Sequence, residues 1–178
     1  MKKAVILLML SVIGSFAYSQ VYLGAGLGNS FHNLKLEDLN GDDFKLNENA
    51  LGWRIYAGVG KEFLRFEAGY RSLGSVTSIE NGIQWQSTIT AWDLAAKGQA
   101  QLGPIYGNAK LGRAFYKNQV EVAGTRKTDN TVSILWGIGA GVKIKKLSVG
   151  LSYESIDISA DNNLAQLMLD VSISLGKK

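Results

Sequence analysis

Apolar and polar residues alternate with a period of two along most of the chain after residue 19, and this alternation constrains the fold more than any other feature. In residues 51–59, for example, Leu51, Trp53 and Ile55 share one parity, whereas Arg54 lies on the other. Such alternation places the two sets of side chains on opposite faces of a β-strand. Eight runs of this kind are present, at about residues 21–31, 51–60, 63–73, 88–102, 104–116, 131–144, 147–154 and 165–175. The sequence therefore predicts an all-β protein with eight strands.

The segments between these runs alternate between long and short. The long ones cover residues 33–50, 74–87, 117–130 and 155–164, and the short ones cover residues 61–62, 103 and 145–146. Alternating long loops and tight turns are typical of outer-membrane barrels, whose short turns lie in the periplasm, and strands of about nine to eleven residues cross the bilayer. We therefore expect an eight-stranded antiparallel transmembrane β-barrel with long extracellular loops and short periplasmic turns.

Charged residues in the strands fall almost entirely on one parity. Facing the middle of a bilayer, each would cost about 2–4 kcal/mol, and ten of them would exceed the stability of a domain of this size. We therefore expect this parity to face the lumen and its basic and acidic groups to pair there. The predicted luminal charge network consists of Arg54, Arg65, Glu67, Arg71, Asp93, Lys97, Lys110, Lys143, Glu154 and Asp170. One charge, Arg113, lies on the apolar parity.

Glycines support the same orientation. Most of the glycines in the runs share the parity of the charges, among them Gly24, Gly26 and Gly28 of the first run. Glycine weakens a strand, but the lumen of an eight-stranded barrel is only just wide enough for side chains. We expect glycines of the first and sixth runs to leave room for Arg and Lys from other strands. A soluble lipocalin-like barrel, with its apolar parity turned inward around a ligand, would have no use for them.

Aromatic residues on the apolar parity lie towards the long-loop ends of their strands. A ring with an apolar body and a polar edge is favourable at the level of the lipid headgroups, whereas the core of a soluble sandwich would not restrict such residues to one end. We therefore predict a girdle at the outer interface. The lipid-interface aromatics are Trp53, Tyr70, Trp92, Phe115, Trp136 and Tyr153.

The N-terminus has the form of a secretory signal peptide over residues 1–19. Lys2 and Lys3 precede an apolar stretch, and Ala17 and Ser19 supply small residues before the expected cleavage site. An uncleaved anchor is the weaker alternative. We expect residues 20–178 to form one barrel domain in the outer membrane.

The chain has no cysteine and a single histidine, which excludes disulfides, thiol nucleophiles and multi-histidine metal sites. We expect no cofactor, no metal and no nucleic-acid partner.

Two segments carry a family resemblance. Residues 51–58 together with 66–74, and Ala109-Lys110-Leu111-Gly112 further on, resemble strands of OmpA-like barrels. The resemblance implies an eight-stranded barrel in a Gram-negative outer membrane, with an Arg–Glu–Lys network plugging the lumen. Lys110 stands where the fifth strand of that family usually has Arg, and Gly150 where the seventh does, so the plug is expected to be built differently. We also expect a barrel domain without the peptidoglycan-binding domain of the larger members.

Candidates for catalysis or metal binding are few. Some small outer-membrane barrels modify lipid A with a loop-proximal histidine, and His32 could act so with Ser87, Thr88 or Asp93. A His-x-Ser motif is absent, so a solvated histidine is the simpler interpretation. The acidic segment 37–43 resembles part of a calcium loop but has Asp where that motif needs Gly. A solvated loop, or loose divalent bridging to lipopolysaccharide, explains it better.

Three functions remain open from the sequence. The favoured one is a structural or surface-interaction role in the envelope, with a lumen largely plugged by paired charges. The alternatives are a narrow porin-like channel for ions or small solutes, and a lipid A-modifying enzyme using His32. Expected partners are outer-membrane lipid, lipopolysaccharide and, during biogenesis, the barrel-assembly machinery, and we expect a monomer.

Overall fold

The structure, a computed structural model, contains eight antiparallel strands that close into a barrel in sequence order, with β8 pairing back onto β1. It describes residues 20–37, 43–61, 63–80, 83–122, 125–159 and 162–175 of the 178-residue chain. The strands are β1 (Gln20–Glu37), β2 (Asp43–Gly60), β3 (Leu64–Glu80), β4 (Ile83–Leu102), β5 (Ile105–Val122), β6 (Thr125–Ile144), β7 (Leu147–Ser159) and β8 (Asn162–Ser174). The predicted eight-stranded antiparallel barrel is confirmed. Within the described residues, no helix is long and apolar enough to cross a membrane.

Three tight turns join the strands at one end of the barrel. Gly103 and Lys145 each begin a two-residue turn, with φ angles of 60° and 56°. Two-residue hairpins favour such left-handed backbone because it matches the twist of the strands. Pro104 follows Gly103 in its turn, where a missing N–H leaves no ladder bond unmade, and its carbonyl oxygen accepts a hydrogen bond from the backbone N–H of Lys143 at 2.7 Å.

At the opposite end, paired strand extends into all four segments predicted as long loops. The β1–β2 ladder continues to Glu37 opposite Asp43, and the β5–β6 ladder to Val122 opposite Thr125. The connecting residues 38–42, 81–82, 123–124 and 160–161 lie outside the described part of the chain. Hydrophobic alternation marks only the part of a strand that has an apolar side to cover. It therefore does not reveal the strand extensions beyond the apolar band, although backbone pairing continues there. The predicted loop lengths are not confirmed.

Side chains inside the barrel form three layers along its axis. A layer near the tight turns contains tyrosines and neutral polar groups, and a middle layer contains the charges. The third layer, towards the extended hairpins, is apolar, and the sequence does not predict it. Its largest members are Leu73, Ile89, Tyr116, Leu135, Ile156 and Leu164. The outer wall is lined by exposed aliphatic and aromatic side chains such as Leu27, Ile55 and Leu94.

The closed ladder predicts resistance to detergent. Because every strand is paired on both sides, the protein refolded in detergent should migrate differently on an unheated SDS gel than after boiling. An unheated sample first unfolded in urea should run at the boiled position, which controls for gel artefacts. Identical mobility of the heated and unheated folded samples would contradict a closed barrel.

Candidate functional site

The structure places all six lipid-interface aromatics on the outer wall. Trp53, Tyr70 and Trp92 follow one another across β2, β3 and β4, with ring centroids 5.8 and 4.8 Å apart. Trp136 and Tyr153 on β6 and β7 form a similar pair at 5.8 Å. Phe115 on β5, the sixth, lies directly opposite Trp92 in the ladder. These rings form a band on the side of the barrel that carries the extended hairpins.

Luminal glycines near the tight turns make room for tyrosines as well as for charges. Gly24 pairs with Tyr56 across the ladder, and Gly58 pairs with Tyr22. A Cβ atom on either glycine would overlap the opposing ring. The two rings meet edge to face, with centroids 6.3 Å apart and an interplanar angle of 72°. The expectation that such glycines accommodate Arg and Lys is therefore incomplete.

Arg71 lies at the centre of the charge layer and is completely buried. Its Nε donates a hydrogen bond to Asp93 Oδ2 at 2.9 Å, and its Nη2 donates to Glu154 Oε2 at 2.6 Å. Its Nη1 donates to Gln166 Oε1 at 3.1 Å. One guanidinium thus connects β3 to β4, β7 and β8. A planar fork of donors is suited to such multiple recognition of oxygens.

Gln166 also belongs to this network, although its sequence context does not predict it. Its Nε2 donates hydrogen bonds to Ser30 Oγ at 2.9 Å and to the carbonyl oxygen of Ser72 at 3.1 Å. Only its parity, which it shares with Asp170, could have indicated that it faces the lumen. The cost of a charge facing lipid identifies the charged members of the network. A neutral amide has no such cost, so this rule does not indicate that Gln166 faces the lumen.

Glu154 receives three cations. Arg54 and Arg71 both pair with its carboxylate, and Lys110 Nζ lies 3.5 Å from it. Arg54 also donates from Nε to Asp170 Oδ1 at 2.9 Å. The Glu154 carboxylate on β7 therefore binds side chains from β2, β3 and β5.

Glu67 is a second acidic centre closer to the tight turns. Lys97 Nζ donates to its Oε1 at 2.9 Å, and the hydroxyl of Tyr22 donates to the same atom at 2.8 Å. Lys110 Nζ lies 3.2 Å from Glu67 Oε2 and 3.2 Å from Asp93 Oδ1. Lys110 therefore joins the two acidic centres, in the position where the resemblance implied an arginine.

Arg65 and Lys143 occupy the margin of the predicted network. The Arg65 guanidinium is buried and stacks over the ring of Tyr22 at 5.1 Å, and no described carboxylate lies within ion-pair distance of it. Lys143 is half-buried beside the tight turns. The remaining eight predicted members all form ion pairs with one another, namely Arg54, Glu67, Arg71, Asp93, Lys97, Lys110, Glu154 and Asp170.

A small polar cavity lies next to Arg65 at the tight-turn end. Its volume is about 20 Å³, and Gln99, Tyr106, Asn108 and Ser148 line it together with Arg65. A space of this size holds about one water molecule. The charge layer separates it from the apolar layer beyond.

The candidates for catalysis are only partly within the described residues. The side chains of His32 and Ser87 lie outside them, as does residue range 38–42 of the acidic segment. Thr88 Oγ1 lies 2.8 Å from Ser75 Oγ, and Asp93 is held by Arg71 and Lys110. Among the described side chains, no group of three or more His, Cys, Asp and Glu is arranged to hold a metal ion.

Solved outer-membrane proteins share this architecture. Ail, the attachment invasion locus protein of Yersinia pestis, in complex with the heparin analogue sucrose octasulfate, is 14% identical, with a TM-score of 0.63 over 88% of this chain and 99% of Ail. Neisserial surface protein A is also 14% identical, with a TM-score of 0.63 over 87% of this chain and 97% of the other. The N-terminal barrel of Pseudomonas aeruginosa OprF is 10% identical, with a TM-score of 0.54 over 85% and 97%.

No curated protein sequence matches the chain. Residues 4–174 match the family described as the outer membrane protein beta-barrel domain. This match covers nearly the whole chain and agrees with the closed barrel, its apolar outer wall and its charged interior. The chain therefore belongs to the outer membrane protein beta-barrel domain family, and its eight strands form the same type of closed barrel as these solved proteins.

Proposed function

We propose that this protein is a non-conducting barrel with a structural or surface-interaction role in the cell envelope, acting through the hairpins that project from the membrane. The proposal rests on one observation, namely that two successive layers of side chains fill the lumen. The charge layer ties six strands together, and a buried apolar layer lies directly beyond it.

The two layers oppose conduction for different physical reasons. In the charge layer, Arg71 and Glu154 are 0% and 3% exposed, so little space remains between the paired groups. In the apolar layer, Leu73, Leu135 and Leu164 are 0% exposed. An ion on this path would have to lose its hydration shell between aliphatic side chains, and such constrictions exclude water and ions by dewetting.

Long hairpins support a role outside the membrane. The β1–β2 ladder runs ten residues past Trp53, and the β5–β6 ladder runs seven residues past Phe115. At about 3.3 Å per residue and with the usual strand tilt, they project about 18 to 25 Å. We place this end outside the cell. Ail, whose name describes attachment, has a similar barrel fold, which is consistent with a surface-interaction role here.

Planar-bilayer recording tests the proposal. We expect no discrete conductance steps from the refolded protein, because no hydrated path crosses both layers. Insertion must be shown independently by protection of the barrel from added protease, and a wide porin reconstituted in the same way provides the positive control.

Discrete, salt-dependent steps would contradict the proposal and favour the narrow channel. The polar cavity and Arg65, which no described carboxylate neutralises, are the observations in favour of that alternative. A channel containing this cation should prefer anions, and Arg65→Glu should weaken or reverse the preference.

A further inference from the structure

Arg113 is an exposed cation on a wall that otherwise faces lipid. It lies on β5, opposite Leu94 of β4 and Ile134 of β6. Its side chain is exposed, and no described acidic residue forms an ion pair with it. Since charges facing lipid are unfavourable to a degree that depends on depth, this position needs either water or a counter-ion from the surroundings.

The height of Arg113 places its charge near the headgroups. Phe115 is the next outward-facing residue of the same strand, and it pairs with Trp92 of the girdle. A long arginine side chain can extend along an apolar surface with its charged end in the interface, so a guanidinium at this height is within reach of the headgroups at the end of the barrel that carries the extended hairpins.

A groove in the wall begins beside Arg113. Its volume is about 480 Å³, and its lining is almost entirely apolar. In the ladder, the small Ala96 of β4 lies between Phe66 of β3 and Leu111 of β5. A small side chain between two large ones leaves a depression that runs into the apolar band from the girdle.

We propose that this groove and Arg113 form a binding site for one lipid that carries a phosphate monoester, with the phosphate on the guanidinium and an acyl chain in the groove. Arginine presents paired N–H donors that match phosphate oxygens bidentately. The apolar lining suits hydrocarbon and offers nothing to a polar ligand. The occupant is thus a phosphorylated outer-leaflet lipid, as lipid A is. The site does not depend on whether the lumen conducts.

Fluorescence quenching by brominated lipids tests the site. The variant Trp53→Phe/Trp85→Phe/Trp136→Phe retains Trp92 alone, on the strand next to Arg113. In phosphatidylcholine vesicles with a minor fraction of phosphatidic acid, either lipid is brominated on its acyl chains. We expect brominated phosphatidic acid to be enriched about fivefold next to Trp92, as expected for about 1 kcal/mol from one basic residue at an anionic surface.

Arg113→Gln in the same background should abolish the enrichment, and Arg113→Lys should retain part of it because the charge remains. A second reporter that keeps only Trp53, on β2, should show no preference between the two lipids. Detergent-resistant migration on unheated gels confirms that each variant is folded.

Three outcomes would overturn the proposal. The first is equal quenching of Trp92 by both lipids, and the second is a preference that survives Arg113→Gln. The third is weak quenching of Trp92 by either lipid while Trp53 is quenched normally, which would mean that another protein copy covers this wall.

Discussion

Replacing Glu154 with glutamine is expected to lower the free energy of unfolding by about 3–5 kcal/mol, the usual loss when one partner of a buried ion pair is removed. Arg54, Arg71 and Lys110 all contact this carboxylate. The amide is nearly the same size, so no cavity is made. What is lost is the negative charge that compensates three buried cations. Urea unfolding of the barrel in lipid vesicles, followed by tryptophan fluorescence, gives the measurement.

Asp157→Asn is the matched control. It removes an acidic charge from the same strand, but this residue is exposed, and surface substitutions usually change stability by less than about 0.5 kcal/mol. A loss for Glu154→Gln no greater than for Asp157→Asn would mean that the network contributes nothing to the barrel.

A double variant separates charge pairing from other effects. Arg71→Gln alone should also destabilise the barrel, because Asp93 and Glu154 lose a donor. Arg71→Gln/Glu154→Gln removes a cation and an anion together, so its loss should be smaller than the sum of the single losses, by about 0.5–3 kcal/mol. Strict additivity would contradict direct coupling of the two side chains.

Strand number, closure and wall orientation could be predicted because lipid imposes a strong rule. Any charge facing hydrocarbon is unfavourable, so the parity of Arg54, Glu67 and Asp170 alone identifies the inside of the barrel. By the same rule Trp53 and Trp92 are predicted to lie on the wall, and the structure places them there.

Features of the lumen and of the projecting hairpins follow no such rule. Leu73, Leu135 and Leu164 share the luminal parity with the charges. The alternation does not distinguish an aliphatic side chain that faces the lumen from one in a loop that connects two strands. The partners of Arg71 depend on side-chain reach across the lumen, which sequence spacing does not encode. Outside the bilayer, both faces of a strand meet water, so the alternation that marks strands disappears there.

Leu169→Arg is expected to destabilise the barrel by about 2–4 kcal/mol and to block assembly in the membrane, because the new charge would face hydrocarbon. Leu169 is 53% exposed on the outer wall and lies between Leu27 of β1 and Leu151 of β7 in the ladder. Unlike Arg113, it has no girdle ring on its own strand among the described residues. The loss should appear in the unfolding free energy and as protease-sensitive protein in cells.

Ser172→Glu provides the control on the same strand. Ser172 borders the polar cavity, where Arg54, Arg65 and Lys97 outnumber Asp170. A carboxylate there gains cationic neighbours, so the variant should assemble with stability equal to or above that of the parent. If Ser172→Glu were as damaging as Leu169→Arg, β8 would not tolerate an added charge on either face. Inward and outward positions of one strand have the same backbone pairing and differ only in whether they meet the lumen or the lipid. Equal damage at both positions would therefore mean that orientation does not explain the effect.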